Sequence, residues 1–246
     1  MRLKDKVAII TGGASGFGEG IARRFAQEGA RVVVADLNGE AAEGLAHEIG
    51  GLAVAADISR GAQVRALVEA AVGKFGEIDI LVNNAGIGHK PQPLDTLPED
   101  DFDRIVAVNA KSVFFTAREI VPSMKARKRG AILNIASTGG VSPRPNLTWY
   151  NASKGWMITA TRAMAVELAP FGIRVNAINP VAGETPLLAT FMGEDTPAMR
   201  AKFLASIPIG RFSTPADIAA AACFLCSDEA SMITGVALEV DGGRCI

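Results

Sequence analysis

The chain has 246 residues, of which 49% are hydrophobic, and its 26 acidic and 25 basic side chains leave a formal net charge of −1. This composition is ordinary for a globular protein and excludes an intrinsically disordered chain. The near-neutral charge gives no electrostatic reason to expect a nucleic-acid or membrane partner. The N-terminal apolar run is too short for a signal peptide, and no apolar stretch approaches the roughly 20 residues of a membrane span.

Short apolar segments rich in β-branched residues alternate with longer segments of helical periodicity along the whole chain. The predicted strands cover residues 7–10, 31–35, 52–55, 78–82, 131–135, 174–178 and 236–240. Their continuous apolar character is typical of parallel strands that are covered on both faces by helices. We therefore predict a single α/β domain over residues 1–246, a doubly wound parallel seven-stranded sheet of the Rossmann type.

A glycine-rich turn follows the first predicted strand and precedes a helical segment. Its sequence is TGGASGFG, with Gly12, Gly16 and Gly18 in Gly-x3-Gly-x-Gly spacing. Such glycines let the backbone approach a pyrophosphate closely, and the N-terminus of the following helix stabilises the negative charge. Because the turn belongs to the first strand–helix–strand unit, it indicates a dinucleotide site more strongly than a glycine-rich loop elsewhere would.

The second predicted strand is followed by Asp36 and Leu37. A carboxylate at this point accepts hydrogen bonds from an adenosine ribose and repels a 2′-phosphate. Neither Ser15 nor Leu37 offers a cation that would attract such a phosphate. The sequence therefore predicts NAD(H) rather than NADP(H), and the alternative for Asp36 is a solvated loop carboxylate.

Tyr150 is the only tyrosine of the chain, and Lys154 follows it by about one helical turn. Residues four apart share a helix face, so the lysine ammonium is placed to favour the phenolate. Lowering the tyrosine pKa from about 10 to about 7 takes roughly 4 kcal/mol, which Lys154 and an oxidised nicotinamide are together expected to supply. Ser137 follows the fifth predicted strand, at the sheet edge where ligands bind, and is placed to donate to a substrate oxygen.

Cys223 and Cys226 form a CxxC pair in an apolar helical segment, which suggests either zinc or redox chemistry or simple packing. Only Cys245 and two histidines remain as further ligands, at spacings that do not build a zinc site. We interpret the pair as core residues and expect no metal. The absence of a disulfide framework favours a reducing, cytoplasmic location.

Taken together, these motifs resemble the classical short-chain dehydrogenase/reductases over essentially the whole chain, in particular the branch that includes 3-oxoacyl-acyl carrier protein reductases and glucose dehydrogenase-like enzymes. The resemblance is carried by TGGASGFG at 11–18, Asp57, NNAG at 83–86, Asn109, Ser137, Tyr150 with Lys154, Asn179-Pro180 and DGG at 241–243. It implies a nicotinamide cofactor, a catalytic tetrad and a homotetramer.

The tetrad implied by the resemblance consists of Asn109, Ser137, Tyr150 and Lys154. In it Tyr150 is the general acid/base, Ser137 orients the substrate oxygen, and Lys154 holds the nicotinamide ribose and lowers the Tyr150 pKa. Asn109 helps to hold a water chain that relays the proton to solvent. The resemblance also implies cofactor contacts from Gly12, Ser15, Gly16, Phe17, Gly18, Asp36, Leu37, Asp57, Ile58, Asn83, Ala85, Gly86, Tyr150, Lys154, Pro180, Val181 and Thr185. One departure is Val181, since the family usually has glycine there and here the next glycine is Gly183.

The substrate pocket is expected to be lined by residues 88–94 and 138–149 and by a proline-punctuated segment at about 182–210, which we predict to be a mobile lid. His89 is either a substrate contact or a solvated loop residue. Arg144 is a candidate for gripping a carboxylate or phosphate. Glu184 would oppose that role or pair with Arg144. We expect a small secondary alcohol, polyol or hydroxy acid as substrate, with its ketone as product.

Two other functions stay open. A 3-oxoacyl-acyl carrier protein reductase is disfavoured by the NAD signature and by Phe171, which stands where the resemblance to those enzymes implies an arginine. The other half of the expected carrier-protein clamp, Lys128 and Arg129, is present, but we interpret the basic run from Lys125 to Arg129 as cations at a helix C-terminus. The second alternative is a non-catalytic NAD-binding sensor, since a fold does not by itself fix a function.

Overall fold

The computed structural model describes residues 1–246 and contains one seven-stranded sheet in which every neighbouring pair of strands is parallel. The strands are β1 Val7–Thr11, β2 Arg31–Asp36, β3 Leu52–Ala55, β4 Ile80–Asn83, β5 Gly130–Ile135, β6 Ile173–Pro180 and β7 Ala237–Val240. Their order across the sheet is β3-β2-β1-β4-β5-β6-β7. This confirms the predicted fold class, with all seven strands found within two residues of their predicted bounds.

Nine α-helices connect and cover the strands. They are α1 Gly16–Gln27, α2 Gly39–Ile49, α3 Gly61–Phe75, α4 Glu99–Val106, α5 Ser112–Arg127, α6 Thr148–Leu168, α7 Pro186–Met192, α8 Pro197–Leu204 and α9 Pro215–Cys226. None of them is both long enough and apolar enough to cross a membrane.

Two hydrophobic clusters lie on opposite faces of the sheet because successive strand residues point to opposite sides. Ile10 of β1 belongs to the larger cluster, which α1, α2 and α9 cover, whereas Ile9 belongs to the cluster that α3, α5 and α6 cover. Burial on both faces explains the continuous apolar strands of the sequence. Cys223 and Cys226 are buried in the larger cluster, and burial raises the pKa of the Cys226 thiol to about 12, as their interpretation as core residues requires.

A chain of buried polar side chains crosses the centre of the sheet. Thr116 of α5 donates to Asn83 of β4 at 2.9 Å, and Asn83 donates to Asn134 of β5 at 2.8 Å. Asn134 in turn donates to Thr161 of α6 at 2.8 Å, and the Thr161 hydroxyl donates to the Met157 carbonyl at 2.8 Å. This polar chain joins two helices through two strands and fixes the position of α6 against the sheet.

The long helical segment before β5 is interrupted by a π-helical turn over Ala107–Lys111, between α4 and α5. Past it, α5 ends at Arg127, and Lys128 caps it in the left-handed conformation. Arg127, in the last turn, pairs with Asp79 at 3.1 Å, and Lys125 pairs with Glu167 at 3.4 Å. These contacts confirm the interpretation of the basic run as a helix C-terminus.

The segment predicted as a lid carries α7 and α8. Its apolar residues form a small cluster of their own with the end of β6, made by Val181, Leu188, Met192, Ile207 and Phe212. The segment is therefore a packed helical cap over one end of the sheet, and its mobility stays a prediction. Helix α9 follows it and begins with a capping box between Thr214 and Asp217, which Arg211 extends with hydrogen bonds of 2.6 and 2.8 Å to the Asp217 carboxylate.

Candidate active site

A cleft of about 730 Å³ lies at the carboxyl ends of the strands, where the strand order reverses between β1 and β4. Open α/β sheets bind ligands at this switch point. The cleft brings together most of the predicted site residues. They are Gly12, Ser15, Gly16, Phe17, Asp36, Leu37, Asp57, Ile58, Ala85, Gly86, Ser137, Tyr150, Lys154, Pro180, Val181 and Thr185.

The glycine-rich turn forms one wall of the cleft, and it tolerates no side chains at its key positions. Gly12 and Gly16 have φ values of +60° and +54°, which favour glycine. A Cβ on Gly18 would stand 2.0 Å from the Gly12 carbonyl oxygen. The turn leads into the N-terminus of α1, whose first amides lack partners within the helix and form an anion site. The turn therefore fits the pyrophosphate of a dinucleotide.

Asp36 ends β2 beside this turn, and backbone amides fix both of its carboxylate oxygens. Ala14 donates to one oxygen at 3.0 Å and Asn38 donates to the other at 3.0 Å. The neighbouring Leu37 is 77% exposed and brings no charge. The carboxylate is thus held in the cleft wall where an adenosine ribose would bind, and no side chain there attracts a 2′-phosphate.

Ser137, Tyr150 and Lys154 meet at the centre of the cleft. Ser137 follows β5, and its hydroxyl accepts a hydrogen bond from the Gly139 amide at 3.0 Å. Tyr150 lies in the first turn of α6 and Lys154 in the next, with the lysine Nζ 6.0 Å from the centre of the phenol ring. The ammonium donates to the Ile135 carbonyl at 2.8 Å. Three groups from two separate stretches of chain therefore converge, as a proton-transfer site needs.

Burial dominates the acid–base character of this site. It raises the pKa of Tyr150 to about 12, opposed by a hydrogen bond with Ser137, and it lowers the pKa of Lys154 to about 8. Both shifts have the sign expected when a charged form is desolvated. Burial therefore sets the Tyr150 pKa among the protein's own groups, and the lowering that we expect from Lys154 together with an oxidised nicotinamide stays a prediction.

Asn109 lies behind the cleft wall rather than in the cleft lining, within the π-helical turn. Its side-chain oxygen accepts from the Ile87 amide at 2.9 Å, and its side-chain nitrogen donates to the Ile87 carbonyl at 2.9 Å and to the Ser153 hydroxyl at 3.0 Å. Ser153 donates to the Tyr150 carbonyl at 2.7 Å. Asn109 thereby connects the loop that follows β4 with the helix turn that carries the tyrosine.

Two predicted cofactor contacts do not line the cleft. Asn83 is buried, and its side chain is used within the polar chain across the sheet. Its neighbour Asn84 lines the cleft instead and donates to the carbonyls of Thr11 and Gly12 at 2.9 and 2.8 Å. Gly18 is also absent from the lining, and its role is to let α1 pack closely against the turn.

The departure at Val181 has a local explanation. Val181 is buried with the cap cluster, so it contributes packing next to the cleft. The nearby Gly183 is where space is lacking, since a Cβ there would stand 2.3 Å from the Phe17 ring. In this chain glycine is therefore required at position 183, and not at position 181.

Phe191, Arg144 and His89 all belong to the segments that were expected to line the substrate pocket. The Phe191 ring packs on Tyr150 with centroids 4.7 Å apart. Arg144 donates to Ser206 at 3.0 Å and lies over the Phe203 ring at 4.4 Å, so its suggested pairing with Glu184 is wrong. His89 is buried and bonds the Lys90 carbonyl at 2.8 Å, which excludes the interpretation as a solvated loop residue.

Comparison with known proteins gives matches over the full chain. Residues 12–244 match the family model described as enoyl-(acyl carrier protein) reductase. The 4-formylbenzenesulfonate dehydrogenase of Comamonas testosteroni is 52% identical over 252 aligned positions, covering all of both chains. The 3-oxoacyl-[acyl-carrier-protein] reductase of Thermotoga maritima is 41% identical with the same coverage. The NADH complex of the 3-ketoacyl-(acyl-carrier-protein) reductase from Brucella melitensis is 58% identical with a TM-score of 0.95, covering 99% of this chain and 100% of that one.

The TM-score shows that the Brucella structure has the same fold as the present chain over nearly its whole length. The glycine-rich turn, the serine after β5 and the tyrosine and lysine one helical turn apart meet in a single cleft. On this combined evidence the chain belongs to the short-chain dehydrogenase/reductase family.

Proposed function

We propose that the protein is an NAD(H)-dependent oxidoreductase that interconverts a secondary alcohol and a ketone, with a small alcohol, polyol or hydroxy acid as substrate. The observation that carries the proposal is the meeting of Ser137, Tyr150 and Lys154 in the cleft that the glycine-rich turn overlooks. Relatives named as dehydrogenases support it, including one named as NAD(+)-dependent and 37% identical over nearly the whole chain.

NAD(H) is supported by the chain's own residues and by the NADH found with the 58% identical structure. The turn at Gly12 and Gly16 would cradle the pyrophosphate, and the Asp36 carboxylate would accept from the adenosine ribose. Asp57 and Ile58 would face the adenine, and Lys154 and Thr185 the nicotinamide half. When bound, the cofactor supplies a hydride acceptor and a positive charge next to the phenol.

In the oxidising direction the substrate loses a hydride from carbon and a proton from its hydroxyl. Ser137 would hold the substrate oxygen, and Tyr150 would take the proton as general base. Because burial holds the pKa of Tyr150 near 12, the phenolate needs cationic support at the moment of transfer. The Lys154 ammonium provides part of it, and Ser153 and Asn109 position the turn that carries both residues.

A second candidate function is 3-oxoacyl-acyl carrier protein reduction, since two of the reported relatives carry that name. Two features of this chain weigh against it. Phe171 replaces the arginine of the expected clamp, and its ring lies under Lys125 at 4.8 Å. The other half of the clamp is engaged within the chain, because Arg129 pairs with Glu77 at 3.4 Å and with Asp79 at 3.6 Å.

The test is a panel of alcohols, polyols, hydroxy acids and a 3-oxoacyl thioester, followed at the NADH absorbance band. We expect turnover of at least one alcohol with NAD⁺, and loss of about a thousandfold or more in kcat for Tyr150→Phe with an unchanged NADH Kd. Turnover of the variant within tenfold of wild type would show that the base is misassigned. Tight NADH binding without any turnover would favour the NAD sensor.

Assembly and location follow the same proposal. We propose a homotetramer, in line with the family resemblance, and note that α5 and α6 expose large apolar side chains at Phe114, Trp156 and Val166. Size-exclusion chromatography with light scattering tests this assembly. We propose a cytoplasmic location because Cys223, Cys226 and Cys245 are all free thiols.

A further inference from the structure

Arg144 lies at the substrate end of the cleft, away from the glycine-rich turn. It belongs to the loop between Ser137 and Tyr150 and lines the cleft together with Ser142 and Phe203. Prolines at 143 and 145 flank it, and a residue before proline is restricted to extended conformations. The Asn151 side chain donates to the Arg144 carbonyl at 2.8 Å. Arg144 is thus pre-positioned by the residue next to the proposed base.

A second arginine stands nearby. Arg244, at the C-terminal end of the chain, donates to the Ser142 hydroxyl at 3.0 Å and to the Ser142 carbonyl at 3.4 Å, and its buried Nε has no partner. Burial, together with the smaller effect of the Arg244 charge, lowers the pKa of Arg144. Arg144 therefore lines the cleft directly, whereas Arg244 lies behind the same loop and contacts it through Ser142.

Neither guanidinium has a carboxylate partner within 4.0 Å, in contrast to most arginines of the chain. The only polar side-chain partner of Arg144 is the neutral Ser206 hydroxyl, and its planar face rests on Phe203. Two partly buried positive charges without a counter-charge are unfavourable, and a bound anion would relieve that cost. Guanidinium groups bind carboxylate and related oxyanions through paired N–H donors.

We propose that Arg144, supported by Arg244, binds a carboxylate or sulfonate group of the substrate, so that the enzyme acts on small hydroxy or oxo compounds that carry such an anion. The inference rests on the proposed function and specifies the substrate class of the same site. Arg144 is then a specificity-determining residue, and its contacts with Ser206 and Phe203 join anion binding to the cap formed by α7 and α8.

The first experiment compares substrates that share a reacting carbon and differ in charge. One set is 4-(1-hydroxyethyl)benzoate, 4-(1-hydroxyethyl)benzenesulfonate and neutral 1-phenylethanol, and a shorter set is 3-hydroxybutyrate and 2-butanol. We expect wild-type kcat/KM to favour an anionic member by about 10- to 100-fold, the range for a charge-assisted hydrogen bond. Arg144→Gln should remove that preference, mainly through KM, so that kcat/KM falls at least tenfold more for the anionic substrate than for the neutral one.

Variants separate anion binding from a structural role of Arg144. Arg144→Lys should retain part of the preference, and Arg244→Gln should reduce it less than Arg144→Gln. Lys74→Gln is the matched control, because it removes one positive charge from the exposed end of α3 without touching the cleft. If Arg144→Gln lowers kcat/KM equally for the neutral and the anionic substrates, the inference is overturned, and the role of Arg144 is to stabilise the cap.

A binding measurement distinguishes failure of the inference from failure of the proposed function. Calorimetric titration with benzenesulfonate and with neutral methyl phenyl sulfone needs no turnover. We expect the sulfonate to bind the wild type, with affinity at least tenfold lower in Arg144→Gln and with the NADH Kd unchanged. Turnover of neutral alcohols without a preference for anions, or no sulfonate binding at millimolar concentration, would refute anion recognition and leave the oxidoreductase proposal standing.

Discussion

The selectivity for NAD⁺ over NADP⁺ should depend on Asp36 and Leu37, and the double variant Asp36→Ser/Leu37→Arg should reverse it. The Asp36 carboxylate is held by the amides of Ala14 and Asn38, each at 3.0 Å, so it cannot turn away from a 2′-phosphate. The variant removes a fixed negative charge and adds a cation at a position that is 77% exposed.

The size of the effect follows from two terms. At a separation of about 4 Å, repulsion between two unit charges is about 1 kcal/mol in water and about 4 kcal/mol near a protein surface, and a phosphate carries more than one charge. Because the site is open to solvent, we take about 2–3 kcal/mol. Loss of the charge-assisted ribose hydrogen bonds adds about 1.5–3 kcal/mol against NAD⁺. Together the two terms give about 3.5–6 kcal/mol, so the ratio of kcat/KM values should change by about 400- to 25,000-fold.

Initial rates with saturating alcohol and varied NAD⁺ or NADP⁺ give this ratio for each protein. Glu43→Ser is the control, since it removes an exposed acidic charge from α2 outside the cleft. The reasoning is refuted if the wild type uses NADP⁺ as well as NAD⁺, or if the double variant changes the ratio less than tenfold while it remains folded.

Three further changes test other parts of the structure. Gly18→Ala should weaken NADH binding at least tenfold in a fluorescence titration, because its Cβ would stand 2.0 Å from the Gly12 carbonyl oxygen, and an unchanged Kd would contradict the close packing of the turn. The free energy of unfolding of the wild type, measured by urea denaturation, should rise between pH 8 and 10 by up to about 3 kcal/mol relative to Lys154→Met. The reason is that the pKa of Lys154 is lowered in the folded protein, so the unfolded chain binds more protons in this range. If the free energies of unfolding of the two proteins depend on pH in the same way, the lowered pKa is disproved. Asp217→Ala should lower stability by about 1–2 kcal/mol, read as a fall in Tm with unchanged NADH affinity, since it breaks the capping box with Thr214.

The fold was predictable because both faces of the sheet are buried, which leaves a strong signal in every strand. Apolar runs around Ile9 and Ile10 identify a strand whichever face each residue takes. The order of the strands and the position of the cleft then follow from the connections of a doubly wound sheet. The glycine-rich turn and the Tyr150–Lys154 pair carry their chemistry in local spacing, so the sequence placed them correctly in the cleft.

Features that depend on contacts between distant segments were not accessible in this way. In the π-helical turn at Ala107–Lys111 the backbone hydrogen bonds join residues five apart instead of four. This change needs no particular composition, so the sequence around Asn109 does not predict it. Asn83 and Asn84 are chemically identical neighbours, and only the pleat of β4 decides which one enters the cleft. The hydrogen-bond partner of Arg144, Ser206, is 62 residues away in the chain. Charge alone suggested Glu184 as the partner, because the sequence does not show which distant residue the fold brings next to Arg144.

The buried chain from Thr116 through Asn83 and Asn134 to Thr161 restricts how this protein can diverge. Loss of any one member leaves a desolvated donor or acceptor unmatched, which costs about 1–3 kcal/mol, a large part of a typical domain's net stability. An apolar replacement is tolerable only if the neighbouring position changes with it. These residues should therefore vary jointly among descendants of this sequence. Substitutions in this chain do not touch the substrate, yet they determine the position of the helix that carries the reactive phenol.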